Sequence, residues 1–278
     1  MPKTWLITGS SRGLGRALAN AVLASGDNLL ATARNPRELE DLPAQSKGQL
    51  MIRQLDVTDF AAARQAAEDA VERFGRLDVV ANVAGYGNLG TIEDTPIEDF
   101  RAQIETNLFG AINLSKAAIP VLRAQGSGHI ITFSSIGGRR GSTGRAAYSA
   151  AKFGVEGFSE VMATELAPLG VKVTVIEPGG FRTDFAGASQ TIHDIRPEYD
   201  ATVGQAARFQ RDYDGKQPGD PAKAAQVILQ VVGMADPPLR LLLGSDAVRI
   251  AEESDAKKAD SDRRWRDVSM STDFPSSA

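Results

Sequence analysis

The chain has 278 residues, of which 42% are hydrophobic and 24% charged, and its formal net charge is -4. That balance gives no electrostatic reason to expect nucleic acid or an anionic membrane as a partner. There is no cysteine and only two histidines, His129 and His193, which excludes disulfides and thiol nucleophiles and leaves no expected metal site. No apolar run approaches the length of a membrane span. The first strand-like run begins almost at Met1, so no signal peptide is expected and the default location is cytoplasmic.

In chain order, Trp5-Leu6-Ile7 reads as a short buried strand, followed by a glycine-rich turn, Thr8 to Gly15, and a helical pattern through Leu23. Strand-like runs recur at 28–33 and 50–55, then an alanine-rich helix from about Asp59 to Phe74, then a strand at 77–81. A long helix is expected from roughly Ile97 to Arg123, a strand at 129–133, and a helix carrying Tyr148 and Lys152 to about Leu169. A strand at 171–176 follows. Asp220-Pro221 marks a helix start, with proline just inside it, and Leu239–Leu243 is a seventh strand. Strands alternating with longer helices predict a single Rossmann-type doubly wound α/β domain, a seven-stranded parallel sheet flanked by helices.

The expected domain covers 1–250. Within it, residues 183–218 are polar and turn-rich, and form either a substrate lid or an ordinary surface insertion. From about Ala251 to the end runs a charged C-terminal extension, read as one amphipathic helix and a frayed end.

Two local patterns carry chemistry. Strand, glycine turn and helix is the context in which backbone N–H groups and a helix N-terminus receive a diphosphate. Gly9 permits the tight turn, while Gly13 and Gly15 let the anion approach the backbone. Tyr148 and Lys152 lie one helical turn apart, about 5–6 Å at Cβ. A phenol has a reference pKa near 10, roughly, and a neighbouring ammonium is expected to lower it toward the working range. Ser135, thirteen residues before Tyr148, is a hydroxyl that a strand end can deliver to hold a carbonyl oxygen beside the phenol.

Thr8-Gly9-x-x-x-Gly13-x-Gly15, Asn82-Val83-Ala84-Gly85, Asn107, Ser135, Tyr148-x-x-x-Lys152 and Pro178-Gly179 together resemble the short-chain dehydrogenase/reductase family, over roughly residues 3 to 245. The resemblance implies a nicotinamide cofactor across the C-terminal edge of the sheet. Tyr148 would then be the acid/base and Lys152 would hold the nicotinamide ribose and lower the acidity constant of Tyr148. Ser135 would bind the substrate oxygen, and Asn107 would position a water linking the lysine to solvent. Ser11, Arg12 and Leu14 accompany Gly9, Gly13 and Gly15 in the diphosphate turn. Asn82, Ala84 and Gly85 form the fourth-strand motif, in which Val83 replaces the family's second asparagine. Asp56, followed by Val57, resembles the aspartate beside the adenine, although it reads equally as a cap for the next helix. Pro178, Gly179 and Thr183 resemble the loop that receives the nicotinamide amide.

The end of the second strand, Ala33-Arg34-Asn35, lacks the acid that binds a ribose 2′-OH. It offers instead a guanidinium suited to a 2′-phosphate, with Arg12 as a second cation. NADP(H) is therefore favoured over NAD(H). The expected function is interconversion of a carbonyl, ketone or aldehyde, and an alcohol by hydride transfer. The alternatives are a related epimerase or double-bond reductase, and a non-catalytic NADP(H)-sensing or interaction protein on the same fold. Substrate identity and direction are open, and a homodimer or homotetramer is compatible with the resemblance.

Overall fold

The computed structural model describes residues 2–44, 48–187 and 190–274. Seven strands form one parallel sheet: β1 (Thr4–Ile7), β2 (Asn28–Ala33), β3 (Leu50–Gln54), β4 (Val79–Asn82), β5 (Gly128–Phe133), β6 (Val171–Pro178) and β7 (Arg240–Leu243). Their order across the sheet is β3-β2-β1-β4-β5-β6-β7, and every adjacent pair is parallel. The middle strands are apolar at nearly every position because helices cover both faces. Trp5, Leu6, Ile7, Leu29, Leu30, Ile130 and Ile131 are fully buried.

One face is covered by α1 (Gly13–Ala24) and α7 (Pro221–Val232), whose Leu18, Val22, Ile228 and Val232 pack on alternate residues of the central strands. The other carries α2 (Phe60–Phe74), α4 (Gly110–Gln125) and α5 (Ala146–Leu166), with Ala63, Ala66, Ala70, Leu114, Ala118, Met162 and Leu166 turned inward. The helix starts follow local chemistry. Asp59 caps α2 by accepting the Ala62 amide at 2.9 Å, which leaves Asp56 to bond Thr58 instead. Asp220 caps α7 by accepting the Ala222 amide at 2.8 Å, with Pro221 in the first turn.

Three elements differ from the sequence expectation. The helix expected at 97–123 is α3 (Ile97–Ile104), then a π-helical turn at Glu105–Phe109, then α4, so Asn107 lies in the π turn. The segment 183–218, expected to have only weak periodicity, contains α6 (Gln205–Tyr213). The charged tail, read as an extension with one helix from about Ala251, belongs to a helix that starts earlier: α8 begins directly after β7 and runs unbroken over Ser245–Met270. It is anchored by the buried Ala247, Ala251 and Ser254 and by an Asp255–Arg139 ion pair of 3.1 Å. Of the end expected to fray, residues 275–278 lie outside the described residues.

Candidate active site

At the C-terminal edge of the sheet, the strand order reverses between β1 and β4, the place where open α/β sheets leave a crevice. A cavity of about 820 Å³ occupies it. Its first wall is the turn between β1 and α1. Gly9 and Gly13 have φ of 65° and 56°, in the left-handed region. A Cβ on Gly15 would collide with the Gly9 carbonyl oxygen, so the turn closes only around glycine. No side chain caps α1, whose N-cap is Arg12. Its first N–H groups therefore face the cavity among Gly9, Ser11, Arg12, Gly13, Leu14 and Gly15. An uncapped helix start at a glycine cradle fits a diphosphate. Thr8 steadies the cradle: its Oγ1 accepts the Val83 and Ala84 amides at 3.0 and 3.2 Å.

Arg34, Asp56 and Val57 line the cavity as well, while Ala84 lies against Gly9 and Gly85 against Asn107. The Asp56 carboxyl is held below its usual range first by the Thr58 amide and then by its hydroxyl, with Arg34 adding its charge. Glu38, which sequence reasoning passed over, lines the same cavity. It lies in a short 3-10 turn (Pro36–Leu39) and its Oε1 accepts from Asn35 Nδ2 at 3.2 Å. Asn82 differs from its neighbours in the motif. It is buried at the end of β4, and its Nδ2 donates to Ser115 Oγ on α4 at 3.0 Å, outside the cavity lining.

The opposite wall holds Ser135, Tyr148, Lys152 and Asn107; Pro178, Gly179 and Thr183 also line the cavity, and a Cβ on Gly13 would stand 3.4 Å from Thr183 Cβ. Ser135 follows β5 and its Oγ accepts the Gly137 amide at 3.0 Å. Tyr148 and Lys152 are nearly fully buried on α5. The lysine Nζ donates to the Phe133 carbonyl at 2.8 Å and lies 5.6 Å from the Tyr148 ring centroid. Asn107 is pinned at both ends of its amide. Its Oδ1 accepts the Tyr86 amide at 3.0 Å, and its Nδ2 donates to the Tyr86 and Gln103 carbonyls, both at 2.8 Å. A Cβ on Gly85 would stand 2.5 Å from that Oδ1, so only glycine lets this strand end approach the π turn.

The electrostatics correct one expectation. Burial raises the Tyr148 phenol above its ordinary value, while a hydrogen bond with Ser135 and the charge of Arg145 pull it back. Lys152 does not lower it, because burial drives the lysine itself down to about 8, against a Coulombic rise from Glu156. Burial disfavours the charged form of both groups, raising the phenol and lowering the lysine. The cation acting on Tyr148 is Arg145, one turn earlier. It lines the cavity, as do Phe185 and Gln210 from the polar segment. The Phe185 and Tyr148 rings are 5.5 Å apart. Arg145, Phe185 and Gln210 had all been passed over in the sequence. The i, i+3 spacing of Arg145 and Tyr148 was the available signal.

The segment carrying Phe185 is stitched to the loop after β4. Leu89 and Ile192 form a parallel bridge, Gln190 Nε2 donates to the Gly87 carbonyl at 2.8 Å, and His193 contacts Asp99 at 2.8 Å. Among the described residues no cluster of metal-ligating side chains is present, and no helix is long and apolar enough to cross a membrane.

The family model for short chain dehydrogenases matches residues 3–193. The chain belongs to the short-chain dehydrogenase/reductase family. It is an oxidoreductase fold shared over nearly its whole length with known relatives. Oxidoreductase BOA17 of Botryotinia fuckeliana is 47% identical over 273 residues, 98% of this chain and 100% of that protein. The crystal structure of a short-chain dehydrogenase from Streptomyces avermitilis superposes with a TM-score of 0.92 at 39% identity, covering 99% of this chain and 100% of the other. Two Burkholderia neighbours share the fold. One from B. cenocepacia, solved with NADP, has a TM-score of 0.74 and is 24% identical, covering 95% of this chain and 97% of its own. One from B. phymatum, solved with NAD, has a TM-score of 0.78 and is 19% identical, covering 100% of this chain and 98% of its own.

Proposed function

We propose that this oxidoreductase interconverts a carbonyl group and an alcohol with NADP(H). The observation carrying the reading is the meeting of Ser135, Tyr148 and Lys152 on one wall of a cavity whose other wall is an uncapped glycine turn. The bound dinucleotide supplies or accepts the hydride. In the reducing direction, Ser135 holds the substrate oxygen by donating its hydroxyl, its own lone pair being engaged with the Gly137 amide. Tyr148 gives a proton to the oxygen as negative charge develops there. The buried, raised phenol suits that role, because it stays protonated until the charge appears. Lys152 would hold the ribose of the cofactor and pass protons toward the phenol, and Asn107 in its π turn would position a water behind it.

The cofactor preference rests on Ala33, Arg34 and Arg12. Both arginines are exposed and lie at the adenosine corner, where a guanidinium grips a 2′-phosphate bidentately. Glu38 opposes this preference, and its bond to Asn35 draws one carboxylate oxygen away from the ribose. The segment 183–218 acts as the substrate lid through Phe185 and Gln210. A cytoplasmic homo-oligomer completes the reading, checked by light scattering on the purified chain.

The test is NADPH oxidation against aldehydes, ketones, quinones and keto-acyl thioesters, with Tyr148→Phe alongside. Turnover that requires Tyr148 supports the reading. Tight NADPH binding without turnover on any of them favours the sensing protein instead.

A further inference from the structure

Arg145 is half-buried at the start of α5, and its guanidinium lines the cavity with Tyr148 one turn on. The two side chains flank one point: a Cβ on Gly87 would lie 3.0 Å from the Tyr148 ring and 3.2 Å from Arg145 Nη1. Other sheltered arginines in this molecule are matched by acids. Arg139 pairs with Glu177 and Asp255, and Arg240 with Glu156 and Glu160. Among the described residues Arg145 has no such match. Its guanidinium donates to a neutral acceptor, Gln210 Oε1 at 2.8 Å, and lies over the Phe185 ring, 5.9 Å from its centroid. Among the described residues no carboxylate forms an ion pair with it.

A guanidinium has five donors, and a sheltered cation without a counter-charge is costly to keep. One amide oxygen and one aromatic face at 5.9 Å do not offset that cost. The missing partner has a defined place: an anion inside the cavity, within a short reach of the oxygen held by Ser135 and Tyr148.

We propose that Arg145 receives a carboxylate of the substrate, so that the enzyme's substrates are oxo acids and the corresponding hydroxy acids. This rests on the carbonyl-reducing reading above and narrows it. The guanidinium and carboxylate form a two-pronged pair that fixes the carbonyl against Tyr148, while Gln210 and Phe185 close over the pair from the lid. Neutralising Arg145 by the substrate also removes the charge that holds the phenol down, which keeps Tyr148 protonated for reduction.

The experiment compares short-chain oxo acids, each with its own methyl ester, as substrates of the wild type, Arg145→Gln and Arg145→Lys with NADPH. The expected result is that at least one acid exceeds its ester by about 10–100-fold in kcat/KM, most of it in KM. That preference collapses toward parity in Arg145→Gln and returns in part in Arg145→Lys. Equal loss on acid and ester in Arg145→Gln overturns the proposal, since it marks a strut between α5 and the lid. Reduction of neutral ketones by the wild type with no preference for an acid also overturns it, yet leaves the carbonyl-reducing reading intact. A second arm needs no turnover: thermal melting of the NADPH-saturated protein with benzoate or with benzyl alcohol. Stabilisation by benzoate alone, lost in Arg145→Gln, supports the proposal, and equal responses to the two compounds overturn it.

Discussion

The two walls of the cavity are built from different material. The glycine-turn wall is backbone: three glycines, an uncapped helix start and one threonine hydroxyl, all contributed by residues 8–15 with the end of β4. The wall opposite is side chain: a serine from after β5, a tyrosine and lysine from α5, an asparagine from a π turn and a phenylalanine from the 183–218 segment. Backbone amides present the same donors whatever they bind, so the first wall suits a common cofactor. Side chains from separate segments can be exchanged one at a time, so the second wall is where chemistry and specificity are set. If that division holds, substitutions on one side change one quantity and spare the other.

The largest effect belongs to Tyr148→Phe. Removing the proton donor should lower kcat by about a thousandfold, the middle of the range for general acid–base groups. NADPH affinity, measured by fluorescence titration, should change only slightly. A parallel loss of cofactor affinity would show that the walls are not separable. From the other side, Ala33→Asp with Arg34→Gln adds an acid and removes a phosphate ligand. It should shift relative kcat/KM from NADPH toward NADH by about 10–100-fold, the worth of one charge-assisted contact. An unmoved ratio would point to Glu38 or Arg12 as the deciding residue.

What was legible in the sequence follows the same division. The glycine turn is local in sequence and its backbone consequences are fixed by residue type, so it could be recognised from eight residues. Tyr148 and Lys152 lie one turn apart and were equally visible. Arg145 is just as close to Tyr148, but its meaning depends on the absence of an acid partner, which only the packed structure reveals. Phe185 and Gln210 come from a polar stretch whose place over the cavity is set by bonds to the loop after β4. The π turn at Asn107 was invisible because one extra residue barely disturbs the apolar spacing of a long helix. The early start of α8 was hidden because Ala247 and Ala251 are its buried contacts, and small residues give little amphipathic contrast.

Lys152 is buried in the side-chain wall, and its cost is measurable. Its folded pKa is about 8, against an ordinary 10.5. At about 1.4 kcal/mol per pK unit, holding the ammonium buried costs roughly 3 kcal/mol below pH 8. Lys152→Met should therefore abolish turnover and yet stabilise the cofactor-free protein at pH 7. Losing the bond to the Phe133 carbonyl, about 1 kcal/mol, leaves a net gain of roughly 2 kcal/mol. The sign reverses the usual expectation for a lost contact. Between pH 8 and 10.5 the unfolded lysine holds a proton that the folded one has released, so wild-type stability rises with pH across that window and the gap to the variant closes. Denaturant unfolding of both proteins at pH 7 and near pH 10 checks it. A variant less stable at pH 7 would mean that the lysine is not charged when buried, or that its bond outweighs its desolvation.

The smallest effect comes from a residue on neither wall. Asp220 caps α7 on the sheet face shared with α1, with its Oδ1 accepting the Ala222 amide at 2.8 Å. Asp220→Ala removes one cap and should cost about 1 kcal/mol, lowering the melting temperature by about 2–4 °C. Because α7 packs beside α1, whose start is the diphosphate cradle, this small loss tests how rigidly that cradle is held. If NADPH affinity is unchanged while the melting temperature falls, the cradle draws its shape from its own glycines and Thr8. Weaker NADPH binding would show that the backbone wall depends on helix packing behind it, and that the division between the walls is less complete than their composition suggests.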